Sequence, residues 1–277
     1  MITGYSTVSN AGVPYAVLGE GVPGVLIIPG IEPEHHVPEG LRLQGVRGAF
    51  EDLAAKRPIA VAWRADRARE QEPVTIASIA EDYVALAHEL ELTDLAVVGI
   101  STGGAMAIET AARLGERCSR LALVSAGACL SPEGRALLLR AVGYAEQGDW
   151  RRLGREQMAA FYPGFFGSTV LGTIAWLFPS LYGEPEDPSH FISLTRAVAE
   201  ADLRARSEDV FAKALVINGE RDLLYPPEVA RQTALLLADG EAVIIPRAGH
   251  GAFKSHPGRI NKLLVNYLWP DSGDSPG

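Results

Sequence analysis

The stretch Leu95-Ala-Val-Val-Gly99-Ile-Ser101-Thr-Gly103-Gly104-Ala-Met106 changes character at one residue. Before Ser101 it is a short continuous apolar run, the pattern of a strand buried on both faces. After Ser101 it becomes small residues leading into a helical pattern over residues 105–114. Inside it lies G-x-S-x-G. Composition alone produces that pattern in roughly one of every seven such chains, so its weight comes from the strand directly before it and the helix directly after. A serine on such a tight, strained turn projects its hydroxyl above the sheet. Gly99 and Gly103 keep side chains out of the turn, and the helix points its positive end at any oxyanion formed there. The plainer role for Ser101 is that of a helix N-cap. A nucleotide-binding glycine loop is excluded, because no G-x-G-x-x-G and no G-x-x-x-x-G-K-[ST] follows any strand.

Outward from this turn, strand and helix patterns alternate. Strands are expected at residues 13–18, 24–28, 59–63, 95–99, 121–125, 214–218 and 242–245. Helices are expected at 46–57, 76–92, 105–114, 227–237 and 257–268. Such alternation implies an α/β fold with a parallel sheet and helices on both faces. Between residues 129 and 209 the strand signal disappears and helices at 133–147, 149–161 and 189–206 take its place. The expected organisation is a core formed by 1–128 and 210–269, a helical cap at 129–209, and a disordered Pro/Gly/Ser/Asp tail at 270–277.

The chain has 277 residues, 47% hydrophobic and 21% charged, and a formal net charge of −9. That charge argues against binding nucleic acid, which requires Lys and Arg to neutralise phosphates. Basic knots such as Arg64, Arg67 and Arg69 read as solvated surface. Cys118 and Cys129 form no C-x-x-C, so zinc and dithiol readings lack support, and a reduced pair is expected. The first ten residues lack a basic region and do not read as a signal peptide. No apolar run approaches the roughly 20 residues that span a bilayer. A cytoplasmic protein without a membrane span is the expectation.

A serine hydroxyl needs a base, and the base an orienting carboxylate. Among six histidines, His88 belongs to the solvent side of a helix, His190 to the cap and His256 to a loop. His250 lies in Ala248-Gly-His-Gly251, directly after the last expected strand. A loop at the carboxyl end of a parallel strand is where open α/β sheets bind ligands. The strand before it ends in Gly219-Glu-Arg-Asp222, which offers Asp222 and Glu220 as acids. Asp222 is favoured, because Glu220 adjoins Arg221 and reads as a surface ion pair.

With these pieces in place the chain resembles the α/β-hydrolase superfamily, from about residue 12 to 269. The resemblance is carried by Gly24-Val-Leu-Ile-Ile-Pro-Gly30, Val98-Gly-Ile-Ser-Thr-Gly-Gly104, Leu215-Val-Ile-Asn-Gly-Glu-Arg-Asp222 and Ala248-Gly-His-Gly-Ala-Phe253. It implies a mostly parallel sheet of the eight-stranded type, Ser101 as nucleophile, Asp222 and His250 as its partners, and an oxyanion hole from the backbone amides of Thr102 and Ile31. The order Ser, Asp, His fits this scaffold. Pro29-Gly30 stands where many members have His-Gly, so a hydrogen-bonding anchor is missing. The usual Arg-Gly-x-Gly-x-Ser is replaced by Trp63-Arg-Ala-Asp-Arg-Ala-Arg-Glu-Gln71.

The implied chemistry is acyl transfer on an ester, thioester or lactone carbonyl, with no metal or organic cofactor. The expected partner is a small apolar or amphipathic carbonyl substrate. Tyr162, Phe165, Trp176 and Phe178, with Phe166 and Tyr182, supply aromatic surface for its pocket or for gluing the cap to the sheet. Glu32, Glu34, His35 and His36 read as loop charge or polar substrate contacts. The same triad also serves carbon–carbon bond hydrolases and acyl-transferring or cyclising enzymes of secondary metabolism. A non-catalytic ligand-binding protein on this scaffold is the third reading.

Overall fold

The structure is a computed structural model that describes residues 6–8, 12–31, 36–65, 74–92, 94–164, 166–177 and 187–270. The expectations for Glu32, Glu34, His35, Arg67, Arg69, Phe165, Phe178, Tyr182, the side chain of Phe166 and the tail from 271 lie outside the described residues.

Eight strands form one sheet in the order β1-β2-β4-β3-β5-β6-β7-β8. They are β1 (Ser6–Val8), β2 (Pro14–Leu18), β3 (Val25–Ile28), β4 (Ile59–Ala62), β5 (Leu95–Ile100), β6 (Cys118–Val124), β7 (Lys213–Gly219) and β8 (Gly240–Ile245). β1 and β2 are antiparallel, and every pairing from β4 to β8 is parallel.

The strands are apolar throughout because each face has its own core. Leu26, Ile28, Leu95, Val97, Ala214 and Val216 pack on one side. Their alternates Val25, Ile27, Ala96, Val98, Leu215 and Ile217 pack on the other. Period-two geometry turns one continuous hydrophobic run into two interfaces.

The helices are α1 (Gly40–Ala49), α2 (Glu51–Ala54), α3 (Ile76–Glu89), α4 (Gly103–Leu114), α5 (Pro132–Glu146), α6 (Trp150–Phe161), α7 (Gly172–Leu177), α8 (Ser189–Glu200), α9 (Arg204–Ser207), α10 (Pro227–Leu236), α11 (Ala252–Ser255) and α12 (Pro257–Leu268). α3 shows the local logic. Thr75 accepts from Ser78 N and Ser78 Oγ accepts from Thr75 N, a reciprocal cap that satisfies two end donors. Ile76, Ile79, Ala80, Tyr83, Leu86 and Ala87 then face the core.

Two expectations need correction. The helix expected at 46–57 begins at Gly40 and breaks at Phe50, whose φ of −116° and ψ of 13° are not helical. α1 buries no residue fully and packs only half-buried Leu43, Val46 and Ala49 on the core, so its start was weakly marked. The helix expected at 189–206 breaks after Glu200. Asp202 bridges Cys129 in antiparallel fashion, and Leu203 N donates to Ala128 O at 2.8 Å. Tertiary pairing overrides helical propensity there. It also ties together the two ends of the segment between β6 and β7, whose described elements α5–α9 are all helical apart from this bridge. Strand β1 carried no recognised signal. Among the described residues no helix is long and apolar enough to cross a membrane.

Candidate active site

Ser101 sits between β5 and α4 with φ of 55°, the left-handed region that side chains avoid unless their surroundings enforce it. Here the enforcement is close backbone contact. Ser101 N donates to Val124 O at 2.9 Å, and Gly104 N to Ser101 O at 2.9 Å. A Cβ on Gly103 would lie 2.2 Å from Ile28 O and 2.5 Å from Pro29 O. Glycine therefore lets the first turn of α4 press onto the tip of β3. That helix carries its N-terminal partial charge directly beside the serine.

His250 and Asp222 arrive from the neighbouring tips of β8 and β7. Ser101 Oγ is 2.7 Å from His250 Nε2. His250 Nδ1 is 3.1 Å and 3.0 Å from the two Asp222 carboxylate oxygens. The histidine and aspartate side chains are 2% and 0% exposed, so water does not compete for the pair. Oδ1 of Asp222 also accepts from Leu224 N at 2.9 Å and Tyr225 N at 3.0 Å. A carboxylate fixed by two backbone donors sets the proton of His250 on Nδ1. Nε2 is then the acceptor of the Ser101 hydroxyl.

The imidazole lies between two rings. Phe161, at the end of α6, is 5.1 Å away between centroids, and Tyr225 is 6.0 Å away and nearly parallel. Gly251 N donates to Phe161 O at 2.9 Å. Tyr162 packs against Gly251, where an added Cβ would meet its ring at 3.2 Å. Burial raises the Tyr225 phenol well above its ordinary range, so Tyr225 stays neutral beside Asp222.

The alternatives separate clearly. Glu220 is exposed and its Oε2 accepts from Arg247 N at 2.7 Å. It engages that backbone amide rather than the expected partner Arg221. His88 is exposed beside Arg117, and His256 bonds Ser255. His36 is exposed. Trp176 is 43% exposed, with the Arg151 guanidinium 5.5 Å over its ring. Of the expected aromatics, Tyr162 comes to the His250 loop, whereas Trp176 faces solvent and Arg151.

Thr102 follows Ser101 in the chain, and Ile31 follows Gly30, which packs against the serine; each carries a backbone N–H. Neither N–H has a hydrogen bond among the described residues. A Cβ on Gly30 would stand 3.1 Å from Ser101 Cβ and 3.5 Å from its Oγ, which puts the Pro29-Gly30-Ile31 turn against the serine.

Three supporting residues escaped the sequence reading. Asn218, fully buried in β7, accepts from Ala126 N and donates to Ala126 O and Tyr225 O, all at 3.0 Å. It joins the exit of β6 to the Asp222 loop. Its signal was an amide inside an apolar strand. Phe161 gave no signal beyond ending a helix. Arg64 is 7% exposed and donates to Gly30 O at 3.4 Å, which corrects its reading as solvated surface.

The comparisons agree with this architecture. The sequence model of the alpha/beta hydrolase family matches residues 25–263. The chain belongs to the alpha/beta hydrolase family. It is 28% identical over 180 residues to a pimeloyl-[acyl-carrier protein] methyl ester esterase from Nitrosomonas europaea, covering 58% of this chain and 66% of that one, just under two thirds. It is 26% identical over 194 residues to the AB hydrolase superfamily protein YisY of Bacillus subtilis, covering 69% and 72%. Among solved structures it resembles MGS-M2, an alpha/beta hydrolase from a Medee basin deep-sea metagenome library. The TM-score is 0.78 at 19% identity, over 92% of this chain and 94% of that one. The enol-lactonase from Burkholderia xenovorans LB400 superposes with a TM-score of 0.73 at 19% identity, over 92% and 96%.

Proposed function

We propose that the protein is a serine hydrolase that cleaves an ester, thioester or lactone-type carbonyl through an acyl-enzyme. The observation that carries this reading is the relay of contacts from Ser101 Oγ to His250 Nε2 at 2.7 Å and from His250 Nδ1 to both Asp222 oxygens. His250 takes the Ser101 proton as Oγ attacks the carbonyl carbon, and the resulting oxyanion accepts from the Thr102 and Ile31 N–H groups. The tetrahedral intermediate expels its alkoxide or thiolate, which leaves with the proton from His250. Water then gives a proton to His250 and attacks the acyl carbon. The acid departs as Ser101 recovers its proton. The Asp222 carboxylate orients the imidazole and stabilises the imidazolium in both halves.

The helical segment between β6 and β7 serves in this reading as a cap over the site. The support is its direct hold on the base, through the Phe161 ring and the Gly251 N to Phe161 O bond. Tyr162, beside that loop, lines the substrate's path. An esterase is also among the curated relatives by name.

The test is labelling with a fluorophosphonate, followed by hydrolysis of a series of aryl esters and lactones, with Ser101→Ala as control. Label on Ser101 and activity lost in the variant are expected. An unlabelled Ser101 in folded protein, or a wild type no faster than Ser101→Ala on every ester, overturns the proposal.

A further inference from the structure

Arg64 is a buried cation that the reaction above does not use. It follows β4, whose partner β3 leads into the Pro29-Gly30-Ile31 turn. The register pairs Ile27 with Val61. Gly30 and Arg64 each lie three residues beyond that pair, so two parallel strand ends deliver them side by side. The Arg64 guanidinium closes the gap by donating Nη1–H to Gly30 O at 3.4 Å. Arg64, Asp82 of α3 and His190 of α8 line one small crevice, and all three are buried. Arg64 is thus held where sheet, core helix and cap helix meet.

The carbonyl it holds has a specific meaning. Gly30 C=O and Ile31 N–H belong to one planar trans peptide, so they point in opposite directions and turn together. A donor on the oxygen fixes the rotation of the whole unit, in a glycine-containing turn that backbone sterics leave loose. It also polarises the peptide and strengthens the N–H as a donor. Pro29 contributes no N–H of its own to brace the turn. We propose that Arg64 is a positioning residue for the oxyanion hole: by holding Gly30 O it aims and strengthens the Ile31 N–H toward the oxygen that forms at Ser101. This inference rests on the serine-hydrolase reading.

The experiment compares wild type, Arg64→Met and Arg64→Lys in reaction with a fluorophosphonate, whose phosphoryl oxygen becomes the oxyanion as Ser101 attacks phosphorus and fluoride leaves. Removing one oxyanion donor outright lowers rates about 10²–10³-fold. A donor left in place but unaimed should lower the rate of Ser101 phosphonylation at saturating reagent about tenfold in Arg64→Met, with half-saturation moved less than about twofold. Phenylboronic acid, whose tetrahedral adduct occupies the same hole, should bind more weakly in proportion. Arg64→Lys keeps the charge with a single-point donor, so it should fall between the two. If Arg64→Met does not fold, Arg64→Lys carries the test, with a loss of about threefold or more in rate and boronate affinity together. A rate within twofold of wild type in the folded variants, or a slower rate with unchanged boronate affinity, overturns the Arg64 role and leaves Ser101 chemistry intact. A wild type that is never labelled overturns the serine-hydrolase reading and this inference with it.

Discussion

Replacing Asp222 by Asn changes one oxygen to an NH2 group, and the structure dictates which one. Oδ1 accepts from Leu224 N and Tyr225 N at 2.9 Å and 3.0 Å. An amide NH2 there would meet two backbone donors, so the Asn oxygen takes the Oδ1 place. The NH2 group then takes the Oδ2 place, 3.0 Å from His250 Nδ1. The Asn oxygen at the Oδ1 place, 3.1 Å from Nδ1, is already taken by two backbone donors, so the nearer NH2 group favours an accepting Nδ1, which moves the ring proton to Nε2. Nε2–H then faces Ser101 Oγ at 2.7 Å and cannot take its proton. The wrong tautomer in a serine triad lowers kcat by roughly 10⁴-fold, equivalent to about 5.5 kcal/mol at 1.36 kcal/mol per decade. The variant should still fold, since both backbone donors keep their acceptor, and it should bind substrate with unchanged KM. Stopped-flow hydrolysis of an aryl ester measures kcat and KM separately, and circular dichroism confirms the fold. A kcat within tenfold of wild type would refute the tautomer argument.

Other perturbations probe the supports. Gly103→Ala places a methyl 2.2 Å from Ile28 O; the backbone must shift, and urea unfolding should show a loss of about 3 kcal/mol or more together with lower esterase activity. Asn218→Leu strands Ala126 N, Ala126 O and Tyr225 O, and urea unfolding should show a loss of roughly 2–4 kcal/mol. Glu109, buried in α4, binds Arg113 of its own helix and Arg206 of α9; both arginines remain about one-third exposed, so Glu109→Ala should cost about 1–3 kcal/mol in the same assay. Burial pushes the Cys118 thiol from its ordinary 9.0 up to about 12. Its folded-state contribution is therefore intact below about pH 9 and lost as pH rises toward 12. Urea midpoints measured across that range should fall less steeply in Cys118→Ala.

The sheet was legible because its strands are the simplest objects in the chain. Runs such as Leu215-Val-Ile must be apolar at every position, since Leu215 and Ile217 meet one core and Val216 the other. Ser101, Asp222 and His250 were legible for a related reason. In a parallel sheet ligand-binding groups stand just past the strand ends, and each of these candidates followed a strand that ended in a short, glycine-bearing turn. Elements governed by distant partners stayed hidden. The break after Glu200 depends on Cys129 and Ala128, some 70 residues earlier in the chain. α1 packs only the half-buried Leu43, Val46 and Ala49 on the core, so its periodic signal was weak. Arg64, read among charged neighbours, looks like any solvated arginine. Its burial depends on residues far off in the chain, Gly30 before it and Asp82 and His190 after it.

That contrast bears on how the site can evolve and be engineered. The groups proposed to do the chemistry are fixed by sheet register and by backbone contacts between neighbouring strand tips, such as Gly103 against Ile28 and Pro29. A substitution there acts on geometry first, and selection on substrate has little room. The α5–α9 segment is joined to the site differently. It reaches His250 through the Phe161 ring, the His250 loop through the Gly251 N to Phe161 O bond and Tyr162, and the Asp222 loop through Ser131, which donates to Leu223 O and Leu224 O. It is closed at its own root by the Cys129–Asp202 bridge. Such a segment can change length and side chains while its root and its contact with His250 persist. Residues that choose the acyl group should therefore concentrate between α5 and α9, and those that set the intrinsic rate at the tips of β3, β5, β7 and β8. Arg64 stands on the boundary. Its guanidinium holds the β3 tip, while His190 of α8 shares its crevice. On this reading, substitutions at His190 should disturb rate as well as specificity, unlike substitutions elsewhere on α8.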